Sequence, residues 1–104
     1  NVIVFGVLRD KRYEHMLKML ARAGQVVVLT KPASPRALSL AKLKEVCRHL
    51  GLRAYACARS GDAIGKAFDL SGRRGKILVC GSIYLLGEVM ESLNYHPSRI
   101  NLCQ

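Results

Sequence analysis

Apolar residues recur along this chain in two rhythms, short continuous runs and stripes at helical spacing. Val2–Phe5 reads as a buried strand ended by Gly6. From Asp10 to Arg22 the apolar positions are Tyr13, Met16, Leu17, Leu20 and Ala21, the i, i+3, i+4, i+7, i+8 stripe of a helix packed on one side, with Gly24 closing it. Val26–Leu29, rich in β-branched residues, predicts a second strand. Pro32 and Pro35 then enforce a loop. Ser39 is placed to cap a helix carrying Leu40, Leu43, Val46, Cys47 and Leu50, which Gly51 stops. Arg53–Cys57 reads as a third strand. A helix starting at Ser60 or Gly61 carries Ala63, Ile64, Ala67 and Phe68 and closes at Gly72. Lys76–Cys80 is a fourth strand, followed by a helix over Ile83, Leu86, Val89, Met90 and Leu93. After Asn94 the pattern dissolves around Pro97.

Four successive strand–helix units predict an α/β fold, a mainly parallel sheet of four or more strands with helices on both faces. Right-handed crossovers favour the strand order 3-2-1-4. The order then reverses between strands 1 and 4, and ligands of open α/β sheets bind at the carboxyl edge of such a switch point. Two loops meet there, Gly6–Lys11 and Gly81–Tyr84.

Composition narrows the picture. With 104 residues, half of them hydrophobic and 23% charged, the chain makes one domain, residues 1–104, with a core of its own. No apolar run approaches the ~18 residues of a membrane span. The chain opens on Asn1 rather than Met and enters a strand at once, so a signal peptide is not expected and a piece of a longer protein is. Seventeen Lys and Arg against seven Asp and Glu give +10, a balance that favours acidic partners. The basic residues are scattered, however, with Arg9–Lys11–Arg12 and Arg73–Arg74–Lys76 the only short groups, which describes a solvated surface better than a nucleic-acid site. Cys47, Cys57, Cys80 and Cys103 form no metal or redox spacing and read as reduced thiols.

Several chemistries are excluded at the loops. One glycine after strand 1, with Thr30-Lys31 ending strand 2, does not make a dinucleotide fingerprint. Gly61–Lys66 is one residue short of a phosphate-binding P-loop and is followed by Ala67. His15, His49 and His96 are read as surface residues, Glu88 and Glu91 as the solvated side of the last helix, and Tyr13 and Tyr84 as packing aromatics. What remains is Lys11, Ser82 and two helix N-termini, a set suited to a carboxylate or phosphate. On these residues alone a structural reading stays open, with Lys11 solvated in a first helical turn and Ser82 capping the last helix.

Three stretches carry a resemblance. Val4-Phe5-Gly6-Val7-Leu8-Arg9-Asp10-Lys11, the loop Pro35-Arg36-Ala37-Leu38, and Gly81-Ser82-Ile83-Tyr84-Leu85-Leu86-Gly87-Glu88-Val89 resemble, in order and spacing, the carboxy-terminal domain of folylpolyglutamate synthase/dihydrofolate synthase in the Mur ligase superfamily. The resemblance implies a Rossmann-like three-layer sandwich that acts as a lid and delivers glutamate to a folate or dihydropteroate carboxylate activated as an acyl phosphate. It implies that Lys11 and Ser82 meet glutamate carboxylates. Asp10 would orient Lys11 or cap the first helix, Arg36 would meet substrate or anchor its loop, and Tyr84 would line the pocket or pack. Where the family often has an acid after the Asp-Lys pair, this chain has Arg12.

By the same resemblance, ATP and magnesium belong mainly to an amino-terminal P-loop domain, which is absent here together with the Asp-Gly-Ala-His-Asn-Pro segment that joins the two. The chain alone is therefore expected to contain no catalytic residue and no metal site, and to hydrolyse no ATP. Its expected partners are L-glutamate, folate or dihydropteroate, and its own P-loop domain, in a cytoplasmic monomer without membrane or nucleic-acid partners. One lysine contact, one serine contact and two helix termini sum to about 3–6 kcal/mol before association costs, so free glutamate should bind at millimolar concentration or weaker. The alternative is a freestanding basic module of the same fold that holds a polyanion such as RNA or polyglutamate.

Overall fold

A computed structural model of the chain describes residues 1–22, 26–93 and 100–103. The elements alternate as β1 (Val2–Gly6), α1 (Tyr13–Arg22), β2 (Val26–Leu29), α2 (Leu40–Leu50), β3 (Ala54–Ala56), α3 (Ser60–Ser71), β4 (Ile77–Gly81), α4 (Ile83–Leu93) and β5 (Ile100–Cys103). The sheet is parallel throughout, in the order β3-β2-β1-β4-β5. The expected 3-2-1-4 order is present, with a fifth strand added beside β4. That strand falls where the sequence pattern dissolves, because four residues at a sheet edge are too few to show a period. The Gly24 stop and the region of Pro97 lie outside the described residues.

Both faces of the sheet are covered, which is why β1 is a continuous apolar run rather than an alternating one. Its successive side chains serve opposite layers. Val2 and Val4 join Val28, Ile77 and Val79 under α3 and α4, through Ala63, Ile64, Ala67, Leu85 and Val89. Ile3 and Phe5 join Val27 and Leu29 under α1 and α2, through Leu17, Leu43 and Cys47.

The helix ends follow the chemistry expected of them. Ser39 Oγ accepts the Lys42 N–H at 3.2 Å, and Gly51, at φ 70°, ends α2 in the left-handed conformation while its N–H donates to Arg48 O. Gly72, at φ 69°, ends α3. The first helix begins at the first apolar position of the stripe rather than at Asp10. It starts at Tyr13, so Asp10 and Lys11 precede it and neither belongs to its first turn.

Cys47 lies buried in the α1–α2 layer, and burial pushes its thiol up from 9.0 to about 11. A raised folded pKa favours the folded state while the thiol keeps its proton. Between those two values the unfolded chain ionises first, so this contribution falls by about 1.4 kcal/mol per pH unit as pH rises. Iodoacetamide at pH 8 is expected to label the half-buried Cys57 and to spare Cys47, as read by peptide mass mapping. Equal labelling of the two would contradict this.

Candidate functional site

The switch point is built from two glycines. β1 and β4 end in register at Gly6 and Gly81. Gly81 has φ 122°, and a Cβ placed there would overlap the Gly6 carbonyl oxygen. A Cβ on Gly6 would lie 2.8 Å from Thr30 O, 3.2 Å from Pro32 Cδ and 3.3 Å from Leu85 Cδ2. The ends of β1, β2 and β4 and the start of α4 therefore converge on bare backbone.

Past Gly6 the chain turns towards the loop after β2. Val7 O accepts the Leu38 N–H at 2.8 Å, the Arg9 N–H donates to Arg36 O at 2.8 Å, and Leu8 faces Ala37 in an antiparallel bridge. The Arg36 guanidinium pairs with the Asp10 carboxylate. Both side chains are 58% exposed, so the pair contributes at most about 1 kcal/mol. The pair ties the loop after β2 to the turn after β1. Asp10 does not cap α1.

Lys11 sits in the turn that follows. Its N–H donates to Leu8 O at 3.2 Å and its carbonyl accepts the Tyr13 N–H at 2.9 Å, while its side chain is exposed. It lines a shallow cavity of about 400 Å³ with Arg12, Tyr13, Glu14, His15 and Lys18. Ser82 lies on the other side of the sheet at the start of α4, and is 1% exposed. Its Oγ accepts the Tyr84 N–H at 3.1 Å and its carbonyl accepts the Leu86 N–H at 3.0 Å, so it caps α4. Lys11 and Ser82 thus flank the carboxyl edge from opposite helical layers, and the cavity beside Lys11 contains no part of Ser82. Tyr84 is 55% exposed, so it does not pack as a core aromatic, whereas Tyr13 does.

Two further residues were not visible as functional candidates. Glu88 is not simply solvated: its Oε2 accepts the Ala33 N–H at 2.7 Å, tying α4 to the loop after β2. It borders a cavity of about 460 Å³ together with Lys31, Ser34, Arg59 and Ser60. Only the contact across 55 residues reveals it, and no local spacing announces that contact. Thr30 is fully buried beside Gly6, and among the described residues its Oγ1 has no hydrogen-bond partner. Thr30→Val exchanges that hydroxyl for a methyl of the same shape and is expected to raise stability by about 1 kcal/mol in chemical denaturation. A loss of stability would show that the hydroxyl is satisfied in solution.

Among the described residues no group of three or more His, Cys, Asp and Glu is placed to hold a metal, and no helix is long and apolar enough to cross a membrane. Gly61–Lys66 lies within α3, and Lys66 Nζ stands 4.7 Å from the centre of the Tyr55 ring, so this near-match to a P-loop is not a phosphate loop.

No protein-family model and no curated protein sequence matches the chain. Solved structures do. Folylpolyglutamate synthase of Mycobacterium tuberculosis, complexed with ADP and AMPPCP, superposes with a TM-score of 0.79 and 27% identity over 93% of this chain. The chain resembles the carboxy-terminal domain of folylpolyglutamate synthase. A second structure of the Mycobacterium tuberculosis enzyme, complexed with ADP, gives a TM-score of 0.75 and 26% identity over 91% of this chain. The resemblance read from the three sequence motifs and the α/β architecture are thus both borne out. The chain spans about a quarter of the length of these synthase structures, 24% and 23%.

Proposed function

We propose that this chain is the glutamate-binding domain of an ATP-dependent ligase that adds L-glutamate to folate, to dihydropteroate, or to both. The observation that carries the reading is the superposition on folylpolyglutamate synthase over 93% of the chain, together with the position of Lys11 and Ser82 at the carboxyl edge. In this reading the folate carboxylate is activated as an acyl phosphate on another domain, and this one presents the attacking amino acid. In this reading ATP and magnesium are held mainly by the amino-terminal P-loop domain that the resemblance implies, and no step through them is assigned to this chain. The exposed Lys11 ammonium neutralises a glutamate carboxylate. Ser82 Oγ, whose lone pair takes the Tyr84 N–H, keeps its own O–H to donate.

The test is glutamate kinetics in the native polypeptide that carries this chain. Lys11→Ala removes a charge-assisted hydrogen bond and is expected to raise KM for glutamate about 10- to 100-fold, with KM for ATP unchanged. Ser82→Ala is expected to split its effect, raising KM for glutamate and also lowering stability by about 1 kcal/mol through loss of the α4 cap. Ser82→Thr keeps the hydroxyl and should restore most of both. Unchanged glutamate kinetics in Lys11→Ala and Ser82→Ala would remove both residues from the site.

A further inference from the structure

Basic residues that are scattered along the sequence, where they read as a solvated surface, are gathered by the topology. In a parallel sheet joined by helices, every strand begins and every helix ends at one edge, here the edge opposite the switch point. Arg22 ends α1 and Arg48 stands in the last turn of α2, both in the layer on one side of the sheet. Arg73 and Arg74 follow α3 in the layer on the other side. Between the layers, Arg53 and Lys76 lead into β3 and β4, and their carbonyls accept the Val27 and Val2 N–H groups at 3.0 and 3.1 Å. All six side chains are exposed, and among the described residues none of the five arginines has an ion-pair partner. Asp69 and Glu91, in the last turns of α3 and α4, are the described acids of this edge, so positive charge is in excess. Compensation of helix dipoles accounts for Arg22 and Arg48. It does not account for Arg53, Arg73 and Arg74, which lie outside the helices.

The dimensions and the residue types select a partner. β3 and β4 stand three strand spacings apart, about 14 Å, and each strand of a duplex carries a phosphate every ~3.4 Å of axis, so the edge spans about four phosphates. Five of the six cations are arginines, whose planar forks match phosphate oxygens two at a time. The exposed Tyr84 stands at the start of α4, on the opposite edge, where it cannot serve as a stacking platform for bases held here. Met19 and Met90 are exposed near the basic edge, but on α1 and α4, with the sheet between them, so they form no apolar patch for a lipid surface. We infer that this edge is a docking surface for the phosphate backbone of double-stranded nucleic acid, held by charge without reading of sequence. It lies the length of β1, about 16 Å, from Gly6 and Gly81, and the inference is independent of the proposed function.

The experiment is fluorescence anisotropy of the native polypeptide that carries this chain, titrated into a labelled duplex of about 20 base pairs. Micromolar affinity is expected at about 50 mM salt, weakening about a hundredfold by about 200 mM, and equal for a second duplex of unrelated sequence. Arg73→Gln/Arg74→Gln should weaken binding about tenfold and reduce the slope of log Kd against log salt by about two. Arg73→Lys/Arg74→Lys keeps the charge and should restore most of the affinity. Lys42→Gln/Lys44→Gln removes the same charge from the exposed first half of α2, away from this edge, and should change binding little. No binding at about 50 mM salt with up to about 100 μM polypeptide overturns the inference. A loss no greater in the arginine pair than in the lysine pair overturns it too, because net charge alone would then account for binding. Displacement of the duplex by phosphatidylserine vesicles of equal total charge also overturns it and assigns the edge to a lipid surface.

Discussion

Gly81→Ala is expected to destabilise the chain by about 3 kcal/mol or more, a large part of the roughly 5–15 kcal/mol that holds a domain of this size together. Two causes act together. Gly81 has φ 122°, where an L side chain is strained, and its added Cβ would overlap the Gly6 carbonyl oxygen on the neighbouring strand. Relief requires β1 and β4 to move apart at their paired carboxyl ends, the place where the candidate ligand groups gather. Gly65→Ala is the control. Gly65 is exposed inside α3 with nothing within 4 Å of its added Cβ, so alanine there should stabilise by about 0.5–1 kcal/mol through helix propensity. Urea midpoints of the two variants are expected to move in opposite directions. A Gly81→Ala variant as stable as the parent would mean that the two strand ends are not in close contact.

The second large effect is expected at Phe5. Its side chain is fully buried and belongs to the cluster that joins β1 and β2 to α1 and α2. Truncation to alanine should cost about 3–5 kcal/mol, the lost transfer energy plus a cavity that the covered sheet cannot collapse to fill. Phe5→Leu keeps most of the volume and should cost less than half as much. Similar losses for the two variants would indicate that the layer repacks around the vacancy.

Much of the fold was legible in the sequence because its signals are local. The Leu40–Leu50 stripe, bounded by Ser39 and Gly51, contains a cap, a packed face and a left-handed stop within thirteen consecutive positions, and α2 follows it residue for residue. Strand order was legible for a different reason: parallel strands joined by helices leave few right-handed arrangements. The path of the chain before α1 was not legible. Tyr13 to Ala21 supply the helical period, but residues 7–9 are drawn off into hydrogen bonds with residues 36–38, a partner some thirty positions away. β5 was missed because a four-residue edge strand carries too little pattern.

The candidate site divides in the same way. Its place at the β1–β4 edge follows from topology, and the two glycines that end those strands are visible in the chain. Their mutual approach, and the reach of Glu88 to the Ala33 N–H, depend on tertiary geometry and leave no spacing to read. Asp10 and Arg36 were both in view from the motifs, but only the structure joins them to each other.

The most direct test of the glutamate-ligase account is the mass of folate and of dihydropteroate after incubation with ATP, magnesium, L-glutamate and the native polypeptide that contains this chain. The account predicts ATP-dependent gain of glutamyl residues on at least one of the two acceptors. A folded polypeptide that leaves both acceptors unchanged in mass would contradict it.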